Sequence, residues 1–215
     1  QRAARYTIAR TRLGLSERLV EALVLLGFTL LGGLQWLDVT LGNWISHELL
    51  RQLTLIGAVL AIMGVVGLPF AWYRKFVLEA RFGFNRMKPA LFFADTAKTL
   101  IIVLILGTPL CAALLSLMDW AGPSWPWYGW GLWLVFNLLV LWLYPRVIAP
   151  IFNTFKPLED ASLRERINAL AQRCGFQTNG LYVMDGSRRS AHGNAYFTGL
   201  GRQKRIVFFD TLLNK

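Results

Sequence analysis

Long apolar runs occupy most of the chain up to Tyr144, and a more polar segment follows. A helix crosses the hydrocarbon of a bilayer with about 20 residues, at a rise of about 1.5 Å each. Four stretches meet this requirement, namely residues 19–37, 53–73, 99–118 and 127–144. The last three contain no charged residue, and Glu21 lies near the start of the first. The pattern predicts a multi-pass bundle with four membrane-spanning helices.

The segment after the apolar runs changes its period. Residues 159–174 place apolar side chains at positions i, i+4, i+7, i+8 and i+11, which predicts an amphipathic scaffold helix. Asp160 or Ser162 is placed to cap its start, and Gly175 is placed to end it. Short strands are predicted at 181–184, 195–199 and 205–209, with a hairpin turn at 201–204.

These elements predict a two-part chain. Residues 1–147 form the membrane domain, and residues 148–215 form the first part of a cytoplasmic α+β domain. The proline-bounded stretch 148–158 is expected to be a linker between them. The predicted fold class is therefore mainly α, a multi-pass membrane helical bundle followed by the start of an α+β domain.

Composition supports a membrane protein over a soluble one. The chain is 55% hydrophobic and 16% charged, whereas soluble domains carry roughly 25% charged residues. The net charge of +11 is spread among apolar spans, and no nucleic-acid-binding signature accompanies it. We therefore expect the lipid bilayer as a partner, and no nucleic acid. Cys111 and Cys174 lie far apart in the sequence, so we expect two buried thiols and no disulfide framework or metal site.

The charges between the spans predict an orientation. The segment before the first span contains five arginines and one glutamate, and the segments from Arg74 and from Arg146 are also basic. The connections at 38–52 and 119–126 together contain one basic residue, Arg51, and three acidic residues, Asp38, Glu48 and Asp119. Lys and Arg favour the cytoplasmic side. Both ends of this segment are therefore expected in the cytoplasm, across an inner membrane if the host is bacterial.

Three separated motifs resemble one protein family. Residues 187–199 have the sequence Ser-Arg-Arg-Ser-Ala-His-Gly-Asn-Ala-Tyr-Phe-Thr-Gly. Residues 76–85 have the sequence Phe-Val-Leu-Glu-Ala-Arg-Phe-Gly-Phe-Asn, and residues 204–213 have Lys-Arg-Ile-Val-Phe-Phe-Asp-Thr-Leu-Leu. In their order along the chain they resemble the integral-membrane zinc metallopeptidases known as CAAX prenyl endoproteases. Without the resemblance, residues 72–86 are typical of an amphipathic basic segment at the membrane surface.

The resemblance implies that the Asn-Ala-Tyr strand borders the active-site cleft and aligns a peptide or protein substrate. Asn194 is then a polar contact to the substrate backbone, Ala195 and Tyr196 are strand residues at the cleft, and His192 lies near the site. The residues alone leave other interpretations open: Tyr196 as hairpin packing, and His192 as a solvated loop residue.

The two arginines of this stretch also have two interpretations. Arg188 and Arg189 either meet a substrate carboxylate or lipid phosphate, or form a solvated turn.

The sequence provides no zinc site. Such peptidases need His-Glu-x-x-His on a helix, so that both imidazoles lie on one face and the glutamate acts on the metal-bound water. His47-Glu48 begins this pattern, but Arg51 occupies the second histidine position. We therefore expect no catalytic or metal-binding residue here, with zinc bound only by the intact protein. The resemblance implies an interior piece, with an earlier membrane span before it and a catalytic segment after it.

Three functions are compatible with these patterns. The intact protein is expected to cleave peptide bonds near the C-terminus of prenylated or other membrane-associated substrates, whereas this chain alone should be inactive. The alternative is a non-catalytic membrane scaffold or peptide-binding protein. A transporter would favour paired polar groups in mid-membrane, and the sequence has none.

Overall fold

The computed structural model describes residues 2–175, 180–198 and 204–213. The chain divides into two compact units, Gln1–Asn85 with Ile101–Gly129, and Arg86–Leu100 with Trp130–Lys215. The helices are α1 Arg2–Leu30, α2 Gly33–Gly42, α3 Glu48–Trp72, α4 Pro89–Ala121, α5 Trp125–Leu143, α6 Ala149–Phe152, α7 Ala161–Arg173 and α8 Asp210–Leu213. The strands are β1 Phe155–Pro157, β2 Leu181–Met184, β3 Ala195–Thr198 and β4 Arg205–Phe209.

In the first unit, a bend interrupts the stretch predicted as the first span. Helices α1 and α2 meet at an angle of 61°. Gly32 between them has φ of 79°, a left-handed conformation that glycine adopts without a Cβ clash. The segment predicted as a span over 19–37 is therefore bent within its length. Hydropathy reports the polarity of a segment and carries no information on its direction, so the bend was not predicted.

The segment 76–85 packs against the start of α1. The Tyr6 ring meets Phe82 and Phe84 edge-on, at centroid distances of 5.2 and 5.1 Å. The Arg2 guanidinium donates to the Phe82 carbonyl oxygen at 2.7 Å. Two aromatic rings of this segment therefore have a partner within the protein, and the membrane-surface interpretation stays a prediction.

Pro69 lies inside α3 and does not end it. The helix passes directly into a π-helical turn, Tyr73–Glu79. Proline removes one backbone donor from the helical ladder, and a locally widened turn is one way to accommodate the change. The Arg74 guanidinium on this turn pairs with the Glu17 carboxylate of α1.

Helices α4 and α5 fold back on each other at a short 3₁₀ turn, Gly122–Ser124. A Cβ on Gly129 would lie 3.5 Å from a methyl group of Leu114, whereas a straight helix would separate these residues by about 20 Å. The rings of Trp120 and Tyr128 are also in edge contact, with centroids 5.7 Å apart. The turn predicted at 119–126 is therefore present.

Two helical stretches of the described residues are long and apolar enough to cross a membrane, Glu48–Glu79 and Pro89–Phe152. The bent pair α1–α2 makes a third if it counts as one span. The stretch Pro89–Phe152 contains the α4–α5 turn, so it includes both of the predicted spans at 99–118 and 127–144. The total of four spans stays a prediction.

In the second unit the four strands form one sheet in the order β1-β2-β4-β3. β2 and β4 are parallel, and the β1–β2 and β3–β4 pairs are antiparallel. The strands predicted at 181–184 and 205–209 are confirmed as β2 and β4. The strand predicted at 195–199 is confirmed over 195–198, and Gly199 lies outside the described residues. Three residues of the turn predicted at 201–204 also lie outside them, and the β3–β4 pair that flanks it is antiparallel, as a hairpin requires.

The predicted linker at 148–158 contains regular structure, so this prediction was wrong. It includes α6 and the edge strand β1. β1 is too short for an alternating pattern, and it exists because β2 lies beside it in the fold. Asp185 strengthens this pairing, since its carboxylate accepts from the Thr154 backbone N–H at 2.8 Å.

Helix α7 covers one face of the sheet. Leu163 and Ile167 pack against a core formed by Leu158, Leu181 and Ile206. The predicted cap is confirmed, because the Asp160 carboxylate accepts from the Leu163 N–H at 2.9 Å, and Gly175 ends the helix with φ of 66°. Farther along the predicted apolar face, Leu170 and Cys174 are exposed, so the expectation of a buried Cys174 thiol was wrong. The spacing of apolar residues predicts which side of the helix faces the sheet. It does not predict how far along the helix the sheet extends.

Candidate functional site

Strand β3 lies at one end of the sheet order, so β4 is its partner among the described strands. The Phe209 N–H donates to the Asn194 carbonyl oxygen at 2.9 Å. Hydrogen-bonded and non-hydrogen-bonded pairs alternate along an antiparallel ladder. Ala195 therefore directs its backbone groups toward the outer edge, whereas Tyr196 directs its own toward β4.

Asn194 immediately precedes this edge and is exposed. Its side-chain oxygen accepts from the outward N–H of Ala195 at 2.9 Å. This bond orients the carboxamide along the edge and leaves its NH₂ group as a donor. The predicted polar residue is therefore at the outer edge of β3, where an extended peptide would meet it.

Tyr196 and Thr198 point to one face of the sheet and line a cavity of about 540 Å³. Other lining residues come from a π-helical turn, Tyr144–Ile148, and from α6. Pro145 accounts for the irregular turn, because it lacks the backbone N–H that a regular helix needs. The cavity is also lined by Tyr144, Arg146, Asn153, Tyr182 and Arg205.

The Tyr196 side chain is partly buried among packing partners. Its ring meets Phe209 edge-on at a centroid distance of 6.3 Å, and its hydroxyl lies 3.8 Å from the Met184 sulfur. Burial raises the pKa of the Tyr196 phenol above its ordinary value, and the nearby Tyr144 phenol adds to the rise. Tyr196 is therefore a neutral hydrogen-bond donor at physiological pH. Tyr196 therefore both packs against its neighbours in the sheet and lines the cavity.

His192 is exposed in the loop before β3. The loop is held through its backbone, since the Thr211 hydroxyl donates to the His192 carbonyl oxygen at 2.8 Å. A Cβ on Gly193 would lie 3.3 Å from the Leu212 Cα, so the loop approaches α8 closely. Exposure agrees with a loop histidine, and its proposed place near a substrate stays a prediction.

Arg189 has internal partners that the sequence did not indicate. Its guanidinium forms two hydrogen bonds to Asp95, at 2.8 and 3.1 Å. It also donates to the Asn153 side-chain oxygen at 3.0 Å and to the Phe152 carbonyl oxygen at 2.6 Å. The side chains of Arg189 and Asp95 are 18% and 15% exposed. Neither the ligand-contact nor the solvated-turn interpretation fits this residue.

The neighbouring residues of the loop are fastened locally. Arg188 pairs with Asp185 at 3.0 Å, and half of its side chain is exposed, as a solvated turn requires. The Asp210 carboxylate at the start of α8 accepts from the Ser187 N–H at 2.8 Å and from the Ser187 hydroxyl. The loop that leads to β3 is therefore held in place before any ligand binds.

The described part of the chain offers no metal centre, since no group of three or more His, Cys, Asp or Glu residues lies close enough to hold an ion. His47 precedes α3 and Glu48 begins it. Arg51, in the position of the missing histidine, pairs with Asp38 at 3.4 Å. These residues do not fit a zinc site.

Comparison with known proteins identifies the family. A sequence model described as the N-terminal part of CAAX prenyl proteases, with five membrane helices, matches residues 1–154. The chain belongs to the CAAX prenyl protease family. The model of peptidase family M48 matches residues 157–215. The family predicted from the three motifs is confirmed.

Curated CAAX prenyl proteases are similar to part of this chain. The CAAX prenyl protease 1 homolog of Oryza sativa subsp. japonica is 39% identical over 170 residues, which cover 79% of this chain and 40% of the relative. CAAX prenyl protease 1 of Saccharomyces cerevisiae is 40% identical over 165 residues, covering 76% of this chain and 36% of the relative. The chain thus matches less than half the length of these relatives.

The crystal structure of S. mikatae Ste24p has the same fold. It is 35% identical with a TM-score of 0.86, and the match covers 98% of this chain and 51% of that chain. The predicted fold class is confirmed, a mainly helical multi-pass membrane bundle followed by a small α+β region.

Proposed function

We propose that this chain is part of an integral-membrane zinc metalloendopeptidase that cleaves peptide bonds near the C-terminus of prenylated or other membrane-associated substrates. Membership of the CAAX prenyl protease family supports the reaction class. The observation that carries the proposal is β3, an edge strand that begins directly after Asn194.

The edge of β3 suits an extended peptide. A peptide that adds to a sheet edge is held by main-chain hydrogen bonds, and pockets under alternate side chains select its sequence. Ala195 presents its carbonyl group to such a peptide, and the Asn194 NH₂ group donates to the peptide backbone. The Tyr196 side chain lines the adjoining cavity. His192 borders the same site on the loop that enters the strand.

The proposal assigns the zinc ligands to residues outside this chain, because its described residues do not form a metal site. This chain by itself is then expected to bind no zinc and to hydrolyse nothing. Its two ends lie in the cytoplasm, and the membrane is the inner membrane if the host is bacterial. The basic segments around the apolar helices support this orientation.

The test compares the full-length parent protein with residues 1–215, both purified in detergent. We expect about one equivalent of zinc and chelator-sensitive peptide cleavage in the parent only, since one ion serves such a site. Asn194→Ala in the parent should lower kcat/KM by about 10-fold to 100-fold, because it removes a charge-neutral substrate contact, while zinc content stays unchanged. Asn43→Ala, at an exposed residue after α2, is the matched control.

A parent protein that binds no zinc and cleaves no peptide would exclude the peptidase. The peptide-binding membrane scaffold would then be the better description of the function.

A further inference from the structure

The cavity beside β3 has an unusual charge composition. Two arginines, Arg146 and Arg205, line it, and its lining residues within the described part of the chain include no Asp or Glu. Tyr144, Tyr182 and Tyr196 add three phenol groups to its walls. Guanidinium and phenol groups are hydrogen-bond donors. The cavity is therefore a positively charged site that is rich in donors and open to solvent.

Arg205 differs from the ion-paired arginines of the chain. Arg51, Arg74 and Arg189 each pair with a carboxylate. No Asp or Glu of the described residues lies within 4.0 Å of the Arg205 guanidinium, which is stacked 5.4 Å from the centroid of Tyr182. Stacking on an aromatic ring fixes the plane of a guanidinium without using its N–H groups.

The position of Arg205 connects the cavity to β3. Arg205 is paired with Thr198 across the β3–β4 ladder. Side chains of paired residues lie on the same face of a sheet, so Arg205, Thr198 and Tyr196 share the cavity face. Arg146, on the π-helical turn, also lines the cavity, and its guanidinium stacks 4.6 Å from the Trp142 ring centroid.

We propose that this cavity binds a carboxylate of a peptide that lies along β3, with Arg205 as the main contact. The inference rests on the proposed function, because that function places the peptide on this edge. The carboxylate belongs either to an Asp or Glu side chain or to the C-terminus of the peptide.

Strand geometry and chemistry agree with this ligand. In an added strand, alternate side chains project to one face of the sheet, so one in two peptide residues faces the cavity. The guanidinium fork matches a carboxylate in two parallel hydrogen bonds. The phenol groups of Tyr144 and Tyr196 line the same cavity and add hydrogen-bond donors to it. An acidic peptide also complements a chain with a net charge of +11.

The test is an equilibrium binding assay with the full-length protein in detergent and three fluorescent peptides. The peptides share one membrane-associated sequence and differ in charge. One has an Asp and an amidated C-terminus, one has Asn and a free C-terminus, and one has Asn and an amidated C-terminus. Tighter binding of the first or of the second identifies the side chain or the C-terminus as the source of the carboxylate.

Variants then assign the contact to the cavity. We expect Arg205→Gln to weaken the preferred carboxylate peptide by about 10-fold, the loss typical of one charge-assisted hydrogen bond, and to leave the neutral peptide unchanged. Arg205→Lys should restore part of the preference. Arg188→Gln is the matched control, because Arg188 is an exposed arginine paired with Asp185 and does not line the cavity.

The outcomes separate this inference from the peptidase proposal. Equal binding of all three peptides, no binding of any peptide, or an equal loss for all three in Arg205→Gln overturns the carboxylate site. Zinc content and cleavage are measured on the same preparations. Carboxylate-selective binding without bound zinc or cleavage would support the carboxylate site and exclude the peptidase. Cleavage that depends neither on peptide charge nor on Arg205 would support the peptidase and exclude the carboxylate site.

Discussion

Arg188 and Arg189 are adjacent in the chain, and their guanidinium groups have different surroundings. Arg189 makes four hydrogen bonds to three partner residues inside the second unit. Arg188 makes one ion pair at the surface. Asp95 is far from Arg189 in sequence, so only the fold brings this carboxylate to the loop that precedes β3.

We expect Arg189→Gln to lower the free energy of unfolding by about 3 kcal/mol, because it leaves the Asp95 carboxylate without its cation in a poorly solvated position. Arg188→Gln should change it by less than about 1 kcal/mol, as for other exposed pairs. Denaturant unfolding of the full-length protein in detergent measures both. The double variant Asp95→Asn with Arg189→Gln should lose less than the sum of the two single changes.

Equal destabilisation by Arg188→Gln and Arg189→Gln would contradict the assignment of Arg189 as the buried anchor of the loop.

At the scale of elements, the loop before β3 is fitted closely to β4. Gly186 is buried, and a Cβ there would lie 2.6 Å from a ring carbon of Phe209. The same Phe209 ring contacts Tyr196. The small residue thus allows the loop to approach the strand that supports β3.

Gly186→Ala is therefore expected to destabilise the protein by about 1–3 kcal/mol, the usual cost of overpacking a closed site. It should also lower the affinity for peptides, because the Phe209 ring must shift against Tyr196. Gly131→Ala is the control, since a Cβ at this helical glycine meets no atom within 4 Å. Thermal unfolding and peptide binding are the measurements, and tolerance of Gly186→Ala in both would refute the close fit.

At the scale of the whole molecule, the distribution of charge predicts which connections face the cytoplasm. The α4–α5 turn contains the exposed Ser124, and the α+β region contains the exposed Cys174. The positive-inside bias assigns these two positions to opposite sides of the membrane.

The topology is checked by labelling with a membrane-impermeant maleimide. One variant keeps Cys174 and has Cys111→Ala, and the other carries Ser124→Cys with both native cysteines replaced. In intact cells we expect labelling at position 124 and none at position 174 until the membrane is permeabilised. The opposite result would reverse the predicted orientation.

Local sequence patterns were enough to predict the fold class, the family and most secondary structure. Apolar runs near 20 residues report burial in lipid, alternating residues report strands, and Asp160 with Gly175 marks the ends of α7 because capping is local chemistry. The candidate segment 192–196 was also found in the sequence, through a motif resemblance. These features depend on neighbours within a few positions, so they can be read without the fold.

Features that depend on residues distant in the chain could be found only in the folded structure. β1 exists because β2 lies beside it, and Arg189 is an anchor because Asp95 reaches it. Alternate residues of β3 acquire different surroundings, since Tyr196 faces a cavity whereas Ala195 is exposed at the outer edge. The charge of that cavity comes from Arg146 and Arg205, which are separated in sequence. The fold brings them to one cavity, Arg205 from β4 and Arg146 from the π-helical turn Tyr144–Ile148.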